Sequence, residues 1–297
     1  MISGRIYCEI NTGSFIVADW ACINPVKAIQ KRVVTLIFTI LKYRTSHKLL
    51  NQLTTKIGLR LLDKKNFMGT FFIVGGSSGI GKSIQEKLSS EGHQVYSTYF
   101  KNENHSSKDH FYALDVTSEE LDLTFLPDSL DGVVYCPGAI DLKPFTRLKT
   151  ADIHADLNLQ VVGAVKVIQS VLPKLKASGK GSIVLFSTVA VQTGFPFHAQ
   201  VAISKGAIEG LARSLAAEFA PTIRVNAIAP SITNTPLAGK LLSSPEKIEA
   251  NGQRHPLKRI GEASDIAELA TFLLTDKSSW ITGQIMHIDG GMSSVKI

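Results

Sequence analysis

Between Phe71 and Ser83 the chain reads FFIVGGSSGIGKS, an apolar run that stops in glycines and restarts as a helix. This stretch constrains the fold more than any other. A buried strand must end at Val74, turn sharply, and feed a helix that lies back against it. Gly75 permits the turn, Gly79 lets an anion approach the backbone, and Gly81 lets the helix pack closely on the strand. The helix N-terminus then aims free N–H groups at whatever occupies the turn. The expected occupant is the pyrophosphate of a dinucleotide, held at Gly75, Ser77, Ser78, Gly79, Ile80 and Gly81.

The rest of the chain follows the same grammar. IGKSIQEKLSSEG places Ile80, Ile84 and Leu88 on one helical face, with Gly92 as a stop. HQVYSTYF, HFYALDV, LDGVVYCPGAI, GSIVLFST, TIRVNAIAP and GQIMHIDGG read as further strands, most of them set apart by helix-length segments. Strands separated in this way pair in parallel through right-handed crossovers. Residues 68–297 are therefore expected to form one doubly wound α/β domain of the Rossmann type. There is no internal repeat.

Residues 1–67 differ in character. They hold eleven Lys and Arg against three acids, a net of +8, while the remaining residues hold 21 against 22, a net of −1. A nearly neutral body argues against nucleic acid as the main partner. VVTLIFTILKY, Val33–Tyr43, is about half the length of a spanning helix, so no transmembrane segment is expected. Three readings of the segment stand: an organelle transit peptide, a basic arm for a membrane surface or partner, and a start-site error with translation beginning at Met68. The third is preferred, which puts the protein in the cytoplasm; a transit peptide would put it in an organelle. Cys8, Cys22 and Cys136 have neither metal-knuckle nor redox-pair spacing, so no metal site is expected and a reducing compartment fits.

Dinucleotide sites that prefer NAD place a carboxylate at the end of the second strand. Here that strand ends STYFKNEN, without an acid and with Lys101 close by. A cation suits a 2′-phosphate, so NADP(H) is favoured and NAD(H) remains possible; a solvated loop lysine is the plain alternative.

The spacing Gly-x-x-x-Gly-x-Gly resembles the short-chain dehydrogenase/reductase family, and other segments agree with it. ALDVT is similar to that family's adenine-side stretch, with Asp115 and Val116. ADLNLQVVGA resembles its fourth-helix segment, which would put Asn158 at the catalytic asparagine. RVNAIAPSITNTP resembles the segment that closes over the nicotinamide, with Pro230, Ile232 and Thr235 as contacts, and Gly138 falls on the cofactor side of the fourth strand. RIGEASDIAELATFLLTDKSSWITGQIMHIDGG is similar to the family's C-terminal stretch. The likeness spans residues 70–292 and is nearest in style to ketoacyl carrier-protein reductases. It implies hydride transfer between a nicotinamide and a carbonyl or alcohol carbon, a small-molecule substrate, and a homo-oligomer, dimer or tetramer. The helix AIEGLARSLAAEFA carries an apolar stripe, Ile208, Leu211, Ala212, Leu215 and Phe219, that fits either a subunit contact or plain core packing.

The family's proton is carried by a tyrosine four residues before a lysine. Lys205 matches the lysine, and Thr188, thirteen residues before the tyrosine position, matches the serine that holds the substrate oxygen. The tyrosine position itself is Val201, which can move no proton. The family's Asn-Asn-Ala-Gly is here Tyr135-Cys136-Pro137-Gly138, its threonine before the first glycine is Val74, and the glycine after Pro230 is Ser231. His198 is the nearest substitute acid: Pro196 suits a helix start, and His198, Val201 and Lys205 would then share a helical face. A water held by Thr188, Lys205 and Asn158 is the other route. Two functions follow. One is an atypical NADP(H)-dependent oxidoreductase using Asn158, Thr188, Lys205 and His198. The other is a silent dinucleotide-binding protein, a sensor or an inactive subunit, since the ribose contact of Lys205 needs no tyrosine.

Overall fold

The computed structural model describes residues 69–101 and 110–296, together with two short antiparallel strands, Glu9–Ile10 and Ser14–Phe15. The chain divides into two units, Met1–Lys65 and Asn66–Ile297. Apart from those two strands, the expectations for residues 1–67, including Cys8 and Cys22, lie outside the described residues. Among the described residues no helix is long and apolar enough to cross a membrane.

Seven parallel strands build the second unit: β1 Thr70–Val74, β2 Gln94–Tyr99, β3 Phe111–Ala113, β4 Gly132–Tyr135, β5 Gly181–Phe186, β6 Ile223–Pro230 and β7 Ile285–Ile288. Their order is β7-β6-β5-β4-β1-β2-β3, the doubly wound sheet expected from the alternation of strands and helices. The order reverses between β1 and β4, the switch point at which such sheets open a crevice above their carboxyl ends.

The inner strands are mostly apolar because both faces are covered. Along β1 the alternation is direct. Phe71 and Ile73 enter the core under α1 (Gly79–Ser90), while Phe72 and Val74 enter the core on the opposite face. The α1 side is completed by α7 (Ala263–Leu274), through Ile266, Ala270 and Leu273 packed with Ile84 and Leu88. The opposite side is covered by α3 (Gly163–Ser178) and α5 (Ala199–Phe219). Ile208 and Ala212 of α5 are buried in this second core, and Leu211, Leu215 and Phe219 pack against it. The stripe on α5 is thus used within the chain.

Two local features shape the crevice. α2 (Thr150–Leu157) passes into α3 through a π-helical segment, Asn158–Val162. The Tyr135 hydroxyl at the end of β4 donates to the Leu159 carbonyl at 2.5 Å, tying strand to widened turn. The second feature is the α5 N-terminus. The helix begins at Ala199, preceded by His198 at φ −98° and Phe197 at φ 69°, so the expected helix start at Pro196 is displaced by three residues.

Candidate active site

The phosphate loop has the geometry its glycines require. Gly75 and Gly79 have φ of 79° and 53°. A Cβ on Gly81 would stand 2.2 Å from the Gly75 carbonyl oxygen, so only glycine allows α1 to start this close to β1. Thr98 of β2 braces the turn, its Oγ1 accepting from Gly75 N at 3.0 Å and its carbonyl from Gly76 N at 2.9 Å. No acidic side chain occupies the first turn of α1, leaving its N–H groups open to an anion.

From this loop a cavity of about 830 Å³ runs along the carboxyl ends of the strands. It is lined by every expected cofactor residue: Gly75, Ser77, Ser78, Gly79, Ile80, Gly81, Lys101, Asp115, Val116, Gly138, Lys205, Pro230, Ile232 and Thr235. At one end, Lys101 lies with Nζ 5.3 Å from the Phe100 ring centre. Asp115 accepts from Thr117 Oγ1 at 2.6 Å and Thr117 N at 2.9 Å. The Thr117 hydroxyl and amide hold its carboxyl below the usual range.

At the other end the cavity is lined by Thr188, His198, Val201 and Lys205. Thr188 caps helix α4 (Val189–Thr193): its Oγ1 accepts from Ala190 N at 3.3 Å, which leaves the hydroxyl proton free to donate. Val201 is 6 % exposed and apolar, so no titrating group stands at its place. His198 has Nδ1 at 2.8 Å from the Pro196 carbonyl and its ring 5.5 Å from that of Phe195. His198 is the N-cap of α5, its carbonyl accepting from Ala202 N at 2.8 Å, and it lines the same cavity as Val201 and Lys205.

Lys205 makes no hydrogen bond or ion pair with the described residues. Burial pushes its ammonium down to about 8, against the opposing field of Asp156. A methyl group at Gly138 would stand 3.4 Å from Gln160 Oε1 and 3.8 Å from Lys205 Nζ, so the glycine keeps this corner open. Cys136 also borders the cavity; desolvation pushes its thiol up to about 12, which keeps it a neutral, unreactive thiol. Among the described residues no group of three or more His, Cys, Asp or Glu is gathered for a metal ion.

Asn158 is not in this constellation. It is exposed and does not line the cavity. The place is taken by Gln160, which is 1 % exposed and donates through Nε2 to Asp156 Oδ1 at 2.6 Å and to Ser204 Oγ at 3.2 Å. The reason is helical phase. Gly163, Ala164, Val167 and Val171 face the sheet, and Gln160 continues that face at i−3, i−4 and i−7, whereas Asn158 is about 200° away. That stripe is readable in the sequence and would have pointed to Gln160. Sequence reasoning also missed Asn251, Arg254 and Met292, which line the mouth, and His255 behind Ser231.

A parallel doubly wound sheet with a glycine loop at its switch point defines a dinucleotide-binding protein of the Rossmann class. The family comparison makes this specific. Residues 74–293 match the family described as enoyl-(acyl carrier protein) reductase. A tropinone reductase homologue of Arabidopsis thaliana is 35% identical over 243 residues, covering 75% of this chain and 79% of that one. The 3-oxoacyl-[acyl-carrier-protein] reductase of Thermotoga maritima is 33% identical over 242 residues, covering 74% and 96%. Among solved structures, the aldohexose dehydrogenase of Thermoplasma acidophilum superposes with a TM-score of 0.72 at 26% identity, covering 77% of this chain and 96% of that one. ElxO with NADP bound gives 0.70 at 29%, covering 76% and 99%. The chain belongs to the short-chain dehydrogenase/reductase family.

Proposed function

We propose that the protein is an NADP(H)-dependent oxidoreductase that interconverts a small carbonyl compound and its alcohol without a catalytic tyrosine. The observation that carries this reading is the continuity of one cavity, from the glycine loop past Lys101 and Asp115 to Thr188 and to Lys205, which has no partner among the described residues. The glycine loop and the α1 N-terminus would hold the pyrophosphate. Lys101, with no carboxylate among the described residues at the end of β2, would favour a 2′-phosphate. Lys205 would hold the nicotinamide ribose, and Pro230, Ile232 and Thr235 would border the ring. A bound nicotinamide would supply or accept the hydride. Thr188 would donate a hydrogen bond to the substrate oxygen, and the apolar wall formed by Ile140, Leu142, Leu237 and Leu241 would hold the substrate body. The proton would pass through one of the polar groups around Val201, a held water, or His198. The oxidoreductase names carried by the relatives support this reading.

Val201 supports a second reading, a dinucleotide binder that performs no chemistry. The full-length chain, titrated with NADPH and NADH and then assayed for NADPH oxidation over ketones and ketoacyl thioesters, separates the two. Binding with turnover supports the oxidoreductase; binding without turnover on any substrate supports the silent binder.

A further inference from the structure

Ser231 stands where the family has glycine, and it borders the cavity. Its Oγ lies 2.8 Å from His255 Nε2 and 3.4 Å from Met292 Sδ. His255 is 1 % exposed, and its Nδ1 lies 2.8 Å from the Asn251 carbonyl oxygen. A carbonyl can only accept, so Nδ1 carries the ring proton. The neutral ring then offers a bare Nε2, and the Ser231 hydroxyl donates to it. A hydroxyl backed by a base that a third group orients is the arrangement by which proteins activate an O–H for proton transfer.

Position supports the same role. β5 and β6 are neighbours in register, Phe186 opposite Ile228. Thr188 and Ser231 each follow just after the end of one of these strands. The two hydroxyls therefore come from adjacent strand ends on the wall that Val201 also lines. The chain lacks a proton carrier at 201 and places on the same cavity a hydroxyl backed by a buried imidazole.

We propose that Ser231, relayed by His255, carries the proton in place of the absent tyrosine. The proposal rests on the oxidoreductase reading. In alcohol oxidation the carbinol C–H bond breaks and its electron pair leaves as hydride to the oxidised nicotinamide dinucleotide. The alcohol O–H gives its proton to Ser231 Oγ as the Ser231 proton passes to His255 Nε2, and the C=O bond forms. Carbonyl reduction is the reverse, with the His255 imidazolium returning the proton through Ser231 to the substrate oxygen. Ser231 is then the catalytic residue and His255 acts through it.

The test uses the full-length chain in four forms: wild type, Ser231→Ala, His255→Gln, and Ser231→Ala combined with Val201→Tyr. NADPH affinity is followed by fluorescence, turnover by NADPH oxidation, and the histidine tautomer by ¹⁵N NMR of histidine-labelled protein without cofactor. Loss of the proton carrier is expected to lower kcat by about 10²- to 10⁴-fold in Ser231→Ala and His255→Gln while NADPH affinity is kept. Turnover is expected to return in the double variant. The NMR spectrum is expected to show His255 with its proton on Nδ1 and an Nε2 signal that moves in Ser231→Ala. Wild-type turnover by Ser231→Ala, failure of Val201→Tyr to restore it, or a proton on His255 Nε2 in the neutral ring would each overturn the proposal. A wild type that binds NADPH and turns over nothing would overturn the oxidoreductase reading, and this proposal with it.

Discussion

Single residues decide what this site can do, and Lys205 is the clearest case. Its folded-state value near 8 lies below the ordinary lysine value of 10.5 because burial disfavours the ammonium. Between those two values the unfolded chain holds the extra proton, so stability rises with pH across that window. Below about pH 8 the folded chain bears the whole cost of the buried charge. Lys205→Met is therefore expected to melt higher than wild type at neutral pH, and the gap should close between about pH 8 and about pH 10.5. The same substitution removes a charged hydrogen-bond donor from the ribose position, which should weaken NADPH binding by about 10- to 100-fold. Thermal unfolding at several pH values and a fluorescence titration check the two halves. A residue kept at a stability cost without a partner among the described residues is explained by a ligand. Lys205 was legible in the sequence because its spacing from Thr188 through Val201 is fixed. Gln160 was legible only through the apolar stripe it continues, because a neighbouring asparagine satisfied the motif by residue type while lying on the wrong face of the helix.

Elements place these residues, and two close approaches can be tested. A Cβ at Gly163 would stand 2.5 Å from the Tyr135 hydroxyl, which is itself held by the Leu159 carbonyl. Gly163→Ala should cost about 1–3 kcal/mol, as overpacking does. Tyr135→Phe removes both the obstacle and the hydrogen bond, so the double variant should lose less than the sum of the singles, read by chemical denaturation. At the other end, a Cβ at Gly81 meets the Gly75 carbonyl at 2.2 Å, with backbone on both sides. Gly81→Ala should spread the phosphate loop and abolish detectable NADPH binding, while far-UV circular dichroism keeps its helical signal. The glycine loop and the strand–helix alternation were readable because each rests on local residue chemistry. The π-helical turn and the short α5 entry were not. The first depends on Tyr135 reaching Leu159 across 24 positions of sequence, and the second on Phe197 taking a left-handed backbone conformation that its side chain does not advertise.

The whole molecule combines a crevice shaped for a dinucleotide with a valine at the position where the family carries its tyrosine. The sheet order, the glycine cradle and Lys205 all agree with the family, and the departures border the same cavity both beside the glycine loop, at Val74, Cys136 and Pro137, and around the lysine, at Val201 and Ser231. A chain losing activity by drift has no reason to keep the open corner at Gly138, a threonine with a free proton, and an oriented Ser231–His255 pair. Chemistry by another proton route is therefore expected. The most direct measurement is NADPH oxidation by the full-length wild type, run beside Val201→Tyr over the same panel of ketones and ketoacyl thioesters. Wild type is expected to turn over at least one substrate, and Val201→Tyr, given a second proton route, to turn it over at least as fast. Turnover by Val201→Tyr alone would contradict this expectation, leaving an intact scaffold whose native form binds the dinucleotide and stops there.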